Sequence, residues 1–177
     1  MNRYVVLLRG INIGTRKLLM GDLRRLAEGL GYTGASTILA TGNLLVKTNE
    51  DGHLVRQRIC DALSEFMHQP MHCLVRSQEQ IERLIDESDA APEGYHHYIL
   101  LCDEPVLDEL LRLHAGYAKE EGEKLYGTSN DLHWIVRKGN TLKGFGSAVL
   151  GAKRYQAKLT SRNLNTAEKI AQGLKAL

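Results

Sequence analysis

The hydrophobic pattern of the first 76 residues predicts a β-α-β-β-α-β unit. Short apolar runs typical of strands occupy residues 4–8, 36–40, 44–48 and 71–75. Apolar residues recur at helical spacing over residues 20–30 and 54–67, where Gly31 and Pro70 end the two helices. Thr41-Gly42-Asn43 separates the second and third strands with residues that tolerate positive φ, so it predicts a tight hairpin.

The same pattern recurs after a connecting segment. Ser77 and Gln80 have the spacing of a capping box and predict a short helix, which the linker Pro92-Glu93-Gly94 follows. The second set of predicted strands covers residues 95–102, 124–127, 132–136 and 156–159. Three helices accompany these strands. One begins at Pro105, the second covers residues 144–151, and the last covers residues 163–174.

These elements indicate an α+β protein with two tandem ferredoxin-like (β-α-β-β-α-β) halves and a C-terminal helix. Each half is expected to have strand order 4-1-3-2. The first half covers residues 1–76, the connecting helix and linker residues 77–94, and the second half with the C-terminal helix residues 95–177. A parallel open sheet is the alternative, but the close hairpins oppose it because parallel neighbours need long crossovers.

Charge is distributed unevenly along a chain whose net charge is only +2. Residues 1–49 hold seven basic and two acidic side chains, and residues 132–177 hold nine and one. Residues 50–131 hold seven basic and eighteen acidic side chains. Two basic ends around an acidic middle suggest an anionic partner near the ends, or intramolecular charge pairing.

The cysteines and the apolar runs bear on the compartment. Cys60, Cys73 and Cys102 are widely spaced with no C-x-x-C, which predicts buried thiols rather than a disulfide framework or a thiolate metal site. No run approaches the roughly 20 apolar residues that span a bilayer, and the N-terminus lacks the features of a signal peptide. We therefore expect a cytoplasmic protein without a membrane partner.

Three segments carry a resemblance to a known family. The opening Tyr4–Gly14, which reads YVVLLRGINIG, resembles the start of the bacterial family known as domain of unknown function 1697. Thr41-Gly42-Asn43 is similar to that family's Ser/Thr-Gly-Asn turn. Arg162–Thr166 is similar to its C-terminal Arg-Asn-Trp-Asn-Thr motif, with Leu164 in place of the aromatic residue. The resemblance implies two plait-like halves, no established activity and no catalytic residues.

The loop after the first strand is the first part of the candidate ligand-binding site. It contributes Arg9, Gly10, Asn12, Gly14, Arg16 and Lys17. In a β-α-β-β-α-β sheet this loop and Thr41, Gly42 and Asn43 emerge at the same end, so we expect them to be neighbours. Backbone N–H groups and cationic side chains there could hold an anion. The alternative is that one loop simply braces the other.

The densest basic segment, residues 153–163, supplies the second part of the candidate site. The predicted ligand-binding residues here are Lys158, Thr160, Arg162 and Asn163 of this segment and Asn165 just beyond it. The segment leads into a helix whose first N–H groups lack intrahelical partners. We expect this segment to approach the Arg9 loop. The alternative is that Thr160, Ser161 or Asn163 only caps the helix.

Several other chemistries find little support in the sequence. The spacing of Gly10, Gly14 and Lys17 does not fit a Walker A loop. Lys143-Gly144-Phe145-Gly146 matches only half of the RNA-recognition signature, and a tight loop with one buried Phe is the better interpretation. The histidines form no metal-ligand pattern, and no catalytic residue can be named.

The predicted function is binding of a phosphate-bearing small molecule or nucleotide at this basic polar site. Weakly sequence-specific nucleic-acid binding and a protein–protein interaction module are the alternatives. The sequence leaves the cofactor, the oligomeric state and any enzymatic reaction open.

Overall fold

The computed structural model describes residues 1–11, 17–128 and 131–177. Within them the chain forms eight strands and six α-helices. The first group of elements is β1 (Asn2–Leu8), α1 (Met20–Gly29), β2 (Ser36–Ile38), β3 (Asn43–Thr48), α2 (Gly52–Met67), β4 (Cys73–Ser77) and α3 (Gln78–Asp86). The second is β5 (Tyr95–Cys102), α4 (Glu104–Ala115), β6 (Lys124–Gly127), β7 (Leu132–Arg137), α5 (Phe145–Gly151), β8 (Leu159–Asn163) and α6 (Leu164–Ala176). A short 3-10 turn, Lys153–Tyr155, precedes β8.

The strands form two four-stranded sheets in which all neighbours are antiparallel. Their orders are β2-β3-β1-β4 and β6-β7-β5-β8. In each sheet the first strand therefore lies between the third and the fourth, as the sequence predicts. The protein has a mixed α and β architecture, and the parallel alternative is wrong.

The chain divides into two compact units. Unit 1 comprises Met1–Ile81 and Glu168–Leu177, and unit 2 comprises Glu82–Ala167. Helices α3 and α6 each begin in one unit and end in the other. No helix in the described part of the chain is both long enough and apolar enough to cross a membrane.

The core of unit 1 is almost wholly apolar. Alternate residues of β1 and β3, among them Val6 and Leu44, pack against Leu23 of α1 and Ile59 of α2. The start of α2 is fixed by a side chain: the Asp51 carboxylate accepts a hydrogen bond from the backbone N–H of Leu54, the third residue of the helix. The predicted capping box of α3 is confirmed, since Ser77 and Gln80 each accept the other's backbone N–H with their side chains.

The core of unit 2 contains a buried carboxylate. Glu123 is 7% exposed and its Oε1 accepts hydrogen bonds from Trp134 Nε1 at 2.6 Å and from the Phe145 N–H at 2.7 Å. A Cβ on Gly146 would overlap the Trp134 ring, so this glycine permits the close packing of α5 on β7. Phe145 is 2% exposed. The segment resembling the RNA-recognition signature is therefore a packing motif, and Phe145 is not available to stack on a base.

Three features differ from the sequence prediction. β2 ends at Ile38, so four residues, Leu39 to Gly42, connect it to β3, and Asn43 is already in the strand. The last strand is Leu159–Asn163 rather than residues 156–159, because the 3-10 turn occupies the residues before it. Arg162 therefore lies in a strand, and α6 begins two residues after it.

The expectation of three separate thiols is wrong for two of the cysteines. Cys60 on α2 and Cys73 at the start of β4 are joined as a disulfide, whereas Cys102 is buried and takes no part in it. The sequence did not suggest this pairing because a helix end and Pro70 separate the two residues. Disulfides persist mainly in oxidising compartments, so a cytoplasmic location stays a prediction.

Candidate functional site

The structure brings the first loop and the Gly42 turn together at one end of the unit 1 sheet. The backbone N–H of Leu8 donates to the carbonyl of Gly42 at 2.8 Å, which places Arg9 and Gly10 beside the turn. The predicted proximity of these residues is confirmed. Lys17 is exposed, and the predicted site residues Asn12, Gly14 and Arg16 lie outside the described residues.

Polar groups of the turn form hydrogen bonds with one another and so fix its conformation. Asn43 is fully buried, and its Nδ2 donates to the Ile38 carbonyl at 2.8 Å and to Thr41 Oγ1 at 3.0 Å. Gly42 has φ 77°, and a Cβ there would lie 2.8 Å from that of Leu8. Burial lowers the pKa of the half-buried Arg9. For Asn43 the geometry matches the bracing alternative rather than contact with a ligand.

The C-terminal candidates separate into two groups along β8 and α6. Thr160 and Arg162 share one face of the strand, where Arg162 Nη1 donates to Thr160 Oγ1 at 3.0 Å and to the Ser161 carbonyl at 2.7 Å. Both side chains are buried, and burial lowers the pKa of Arg162 to about 10. Lys158, just before the strand, is exposed.

Asn163 and Asn165 form the start of α6. The Asn165 N–H donates to Asn163 Oδ1 at 3.0 Å, so Asn163 satisfies one of the N–H groups that open the helix. The capping alternative is therefore observed for Asn163. Both asparagines also line an open cleft of about 790 Å³ that lies entirely within unit 2.

This cleft forms where β5 extends past the end of its neighbour β8. Asn163 is paired with Tyr98, so β8 has no partner for the earlier residues of β5, which line the cleft with the first turn of α6 and pair only with β7. The other polar residues that line the cleft come from the segment after α3 and from the residue after β7. The lining residues are Ser88, Asp89, Ala90, Ala91, Tyr95, His96, His97, Lys138, Asn163, Leu164, Asn165 and Thr166.

One residue of the cleft lining, His97, belongs to a buried histidine pair. His97 Nε2 on β5 and His133 Nδ1 on β7 are 2.8 Å apart and share a hydrogen bond. His97 is 6% exposed and His133 is fully buried, and Tyr126 stacks on the His133 ring at 4.8 Å. The outer nitrogens, His97 Nδ1 and His133 Nε2, have no hydrogen-bond partner among the described residues.

Burial keeps this histidine pair neutral near pH 7. It lowers the pKa of His97 against the opposing effect of nearby Asp89. Burial, followed by the effect of His97, lowers the pKa of His133 to about 4. Burial also raises the pKa of Tyr126.

Sequence reasoning missed both histidines. The available signal was strand alternation: His97 shares its face of β5 with Ile99 and Leu101, so a buried face predicts a buried imidazole. Their proximity depends on the register of β5 and β7, which the sequence alone does not reveal.

The candidate residues are divided between the two units. Arg9, Gly10 and the turn belong to unit 1, whereas Asn163 and Asn165 belong to the unit 2 cleft. The predicted approach of residues 158–165 to the Arg9 loop stays a prediction. Among the described residues, no group of three or more His, Cys, Asp or Glu side chains could hold a metal ion.

Comparisons with known proteins support the fold and the family. The conserved bacterial protein SP0830 from Streptococcus pneumoniae has a structure with TM-score 0.78 and 22% sequence identity, and the alignment covers 99% of each chain. At this identity the likeness concerns the fold alone. A search of curated proteins finds no match. The family model described as Protein of unknown function (DUF1697) matches residues 1–133, and the chain belongs to that family.

Proposed function

We propose that the protein binds a small molecule carrying a phosphate group, and that the phosphate sits in the unit 2 cleft at the start of α6. The observation that carries the proposal is the conjunction, in one cleft, of this helix start with the exposed Lys138 and the nine-tenths-buried His97. Two of the residues predicted from sequence, Asn163 and Asn165, lie there.

The electrostatics of the cleft favour an anionic group at one end. The first N–H groups of a 13-residue helix carry partial positive charge, and the exposed Lys138 adds a full one. Asp89 provides a carboxylate elsewhere in the lining. A ligand with a phosphate at one end and a neutral or cationic polar part at the other satisfies both charges, which describes many nucleotides and phosphorylated metabolites.

Amide chemical-shift mapping with inorganic phosphate tests this assignment, after a thermal-shift screen of nucleotides and phosphorylated metabolites. We expect shifts in residues 163–166 and 95–97. Lys138→Gln should weaken binding about two- to five-fold, as expected for one exposed charge. Lys143→Gln removes an exposed lysine of unit 2 that does not line the cleft, and should bind like the parent. A phosphate titration without shifts in the lining residues would refute the proposal.

The same titration examines the loop in unit 1. The half-buried Arg9 beside the Gly42 turn supports a second anion position, and shifts at Leu8, Arg9 and Gly42 would mark it. Nucleic-acid binding would instead appear as complexes that dissociate steeply with added salt. A protein–protein role would appear as concentration-dependent sedimentation without phosphate binding.

We also propose that the two units are copies of one ferredoxin-like plan. The support is a match of register: Arg76 on β4 pairs with Val5, and Arg162 on β8 pairs with Ile99. Each arginine also donates to the carbonyl of the residue before it. Exchanging the residue types at the equivalent positions Asn43 and Asp131 tests this plan.

A further inference from the structure

The Cys60–Cys73 disulfide of unit 1 lies at a surface cavity rather than in a sealed core. The cavity, of about 280 Å³, forms between α2 and the segment that leads into β4, and both cysteines line it. On α2, Arg56, Gln57 and Cys60 follow His53 at helical spacing, so all four share one face of the helix. A small molecule that enters this cavity therefore meets the disulfide while the fold is intact.

The two cysteines differ in burial. Cys73 is 2% exposed, whereas Cys60 is partly buried. In thiol–disulfide exchange a thiolate attacks one of the two sulfurs, and access decides which sulfur it attacks. Cys60 Sγ is therefore the sulfur that a thiol in the cavity attacks, and Cys73 Sγ is the leaving group.

The structure also provides an acceptor for the sulfur that leaves. The backbone carbonyl oxygen of Arg56 lies 3.7 Å from Cys73 Sγ. In the disulfide this sulfur carries no hydrogen, so it can donate to the carbonyl only after reduction, when it is a thiol. The same fold therefore accommodates the reduced state of Cys73.

The polar groups around the cavity favour a negatively charged thiol. Arg56 provides a positive charge, and the exposed His53 and His72 provide ring nitrogens that donate hydrogen bonds or take up a proton. Among the described residues no Asp or Glu lines the cavity, since Asp61, the neighbour of Cys60 on α2, is exposed outside the lining. The cavity thus attracts both an attacking thiolate and carboxylate groups on the same molecule.

We propose that this cavity is a site of thiol–disulfide exchange with a low-molecular-weight thiol that carries carboxylate groups. The thiolate of that molecule attacks Cys60 Sγ, the Cys60–Cys73 bond breaks, and the electron pair leaves with Cys73 Sγ, which takes a proton from solvent. The product is a mixed disulfide between Cys60 and the small thiol.

A second molecule of the same thiol completes the reaction. Its thiolate attacks the small molecule's sulfur in the mixed disulfide, a symmetrical small-molecule disulfide is released, and Cys60 leaves as a thiolate. Two electrons thus pass from two thiol molecules to the disulfide of the protein, and the reverse reaction restores it. This inference does not depend on the phosphate site proposed for unit 2.

Glutathione is the probe, because it is a small thiol with carboxylate groups and a net negative charge at neutral pH. The folded, oxidised protein is treated with it at constant pH, and an alkylating reagent stops the reaction at successive times. Mass spectrometry of the intact and the digested protein gives the rate of reduction and the position of the adduct. We expect reduction to be faster than global unfolding, with glutathione on Cys60 and neither on Cys73 nor on the buried Cys102.

Single cysteine variants isolate the two sulfurs. Cys73→Ser, treated with oxidised glutathione, should accumulate the mixed disulfide at Cys60. Cys60→Ser should form an adduct at least about ten-fold more slowly, because burial restricts access to Cys73.

A charge variant tests the preference for an anionic thiol. Arg56→Gln should slow reduction by glutathione about two- to five-fold, as expected for one partly exposed charge, and should not slow reduction by the cationic thiol cysteamine. Comparing each thiol between parent and variant cancels the difference in their intrinsic reactivity. Arg24→Gln is the matched control, because it removes an exposed arginine of unit 1 that does not line the cavity, and both rates should stay unchanged.

Three results would overturn the proposal. They are reduction of the parent no faster than its global unfolding, an adduct on Cys73 in place of Cys60, and an equal effect of Arg56→Gln on both thiols. The reduction rate and the adduct position are measured on the parent, so they decide the proposal even if a variant fails to fold.

Discussion

Units 1 and 2 share a strand order but differ in what they bury. Register makes Leu45 of β3 the counterpart of His133 of β7, since they pair with Val5 and Ile99 respectively. The histidines of unit 1, His53, His68 and His72, are all exposed, whereas His97, His114 and His133 of unit 2 are buried. Each unit buries one arginine, Arg76 or Arg162, but only unit 2 buries imidazoles and carboxylic acid side chains among the described residues.

The largest expected effect tests the tight packing of unit 2. Gly146→Ala puts a methyl group into the Trp134 ring and should lower the free energy of unfolding by about 3 kcal/mol or more. Gly151→Ala, in the same helix with open space around it, should change stability by less than about 0.5 kcal/mol. Urea denaturation of both variants measures the difference. Equal stabilities would mean that the ring can move aside.

The second prediction separates the units by pH. The lowered pKa of His133 means that the unfolded chain binds its proton first, so stability is complete above about pH 6.5 and is lost as pH falls toward 4. The shift from 6.5 to about 4 corresponds to roughly 3 kcal/mol. Hydrogen exchange should show β5 and β7 losing protection in this window before β1 and β3.

A double variant checks the cause of that pH dependence. His97→Phe with His133→Phe replaces both partners by apolar rings, which avoids leaving either imidazole buried alone. In this variant, β5 and β7 of unit 2 should stay protected from hydrogen exchange down to lower pH than in the parent. If both units of the parent lost hydrogen-exchange protection equally as pH falls, the pH dependence could not be assigned to the His97–His133 pair.

The third prediction concerns unit 1. The Cys60–Cys73 disulfide closes a short loop, with a sequence separation of 13, and its reduction should cost about 2 kcal/mol in the free energy of unfolding. Hydrogen exchange under reducing conditions should show weaker protection of α2 and β4 and little change in β5 and β7. The double variant Cys60→Ala with Cys73→Ala should behave like the reduced protein and no longer respond to reductant.

The smallest effect is expected from exchanging the residues at one shared position. Asn43, which pairs with Leu7, lies two residues before Leu45. Asp131, which precedes Leu132, lies two residues before His133. Because Leu45 and His133 are counterparts, Asn43 and Asp131 occupy corresponding sites at the start of β3 and β7. Asn43→Asp turns a donor toward the Ile38 carbonyl into an acceptor, and should cost about 1–2 kcal/mol.

The reverse exchange serves as its control. Asp131 Oδ1 accepts the Cys102 N–H at 2.9 Å, and Asp131→Asn keeps an acceptor there. Its cost should be about 1 kcal/mol or less. A larger loss for Asp131→Asn than for Asn43→Asp would argue against the structural correspondence of the two units.

Local signals predicted most of the fold. The Ser77–Gln80 capping box and the alternating strands could be identified because each depends on residues a few positions apart. The last strand was misplaced because residues 153–163 carry basic residues four apart, which favour neither a strand nor a helix. The disulfide and the histidine pair were missed because their members lie 13 and 36 residues apart in sequence, and only the packing of helix on strand or the pairing of strands brings them together.

The passage of α6 from unit 2 into unit 1 has a consequence for synthesis on the ribosome. Its second half belongs to unit 1, where Gly173 approaches Leu45 so closely that a Cβ would lie 2.7 Å from the leucine Cδ1, and Lys47 Nζ donates to the Leu177 carbonyl at 3.0 Å. Unit 1 is therefore begun first and completed last, whereas all of unit 2 has been translated by residue 167. Nascent chains would complete the histidine-containing unit before the N-terminal one, the reverse of the usual N-to-C order of domain folding.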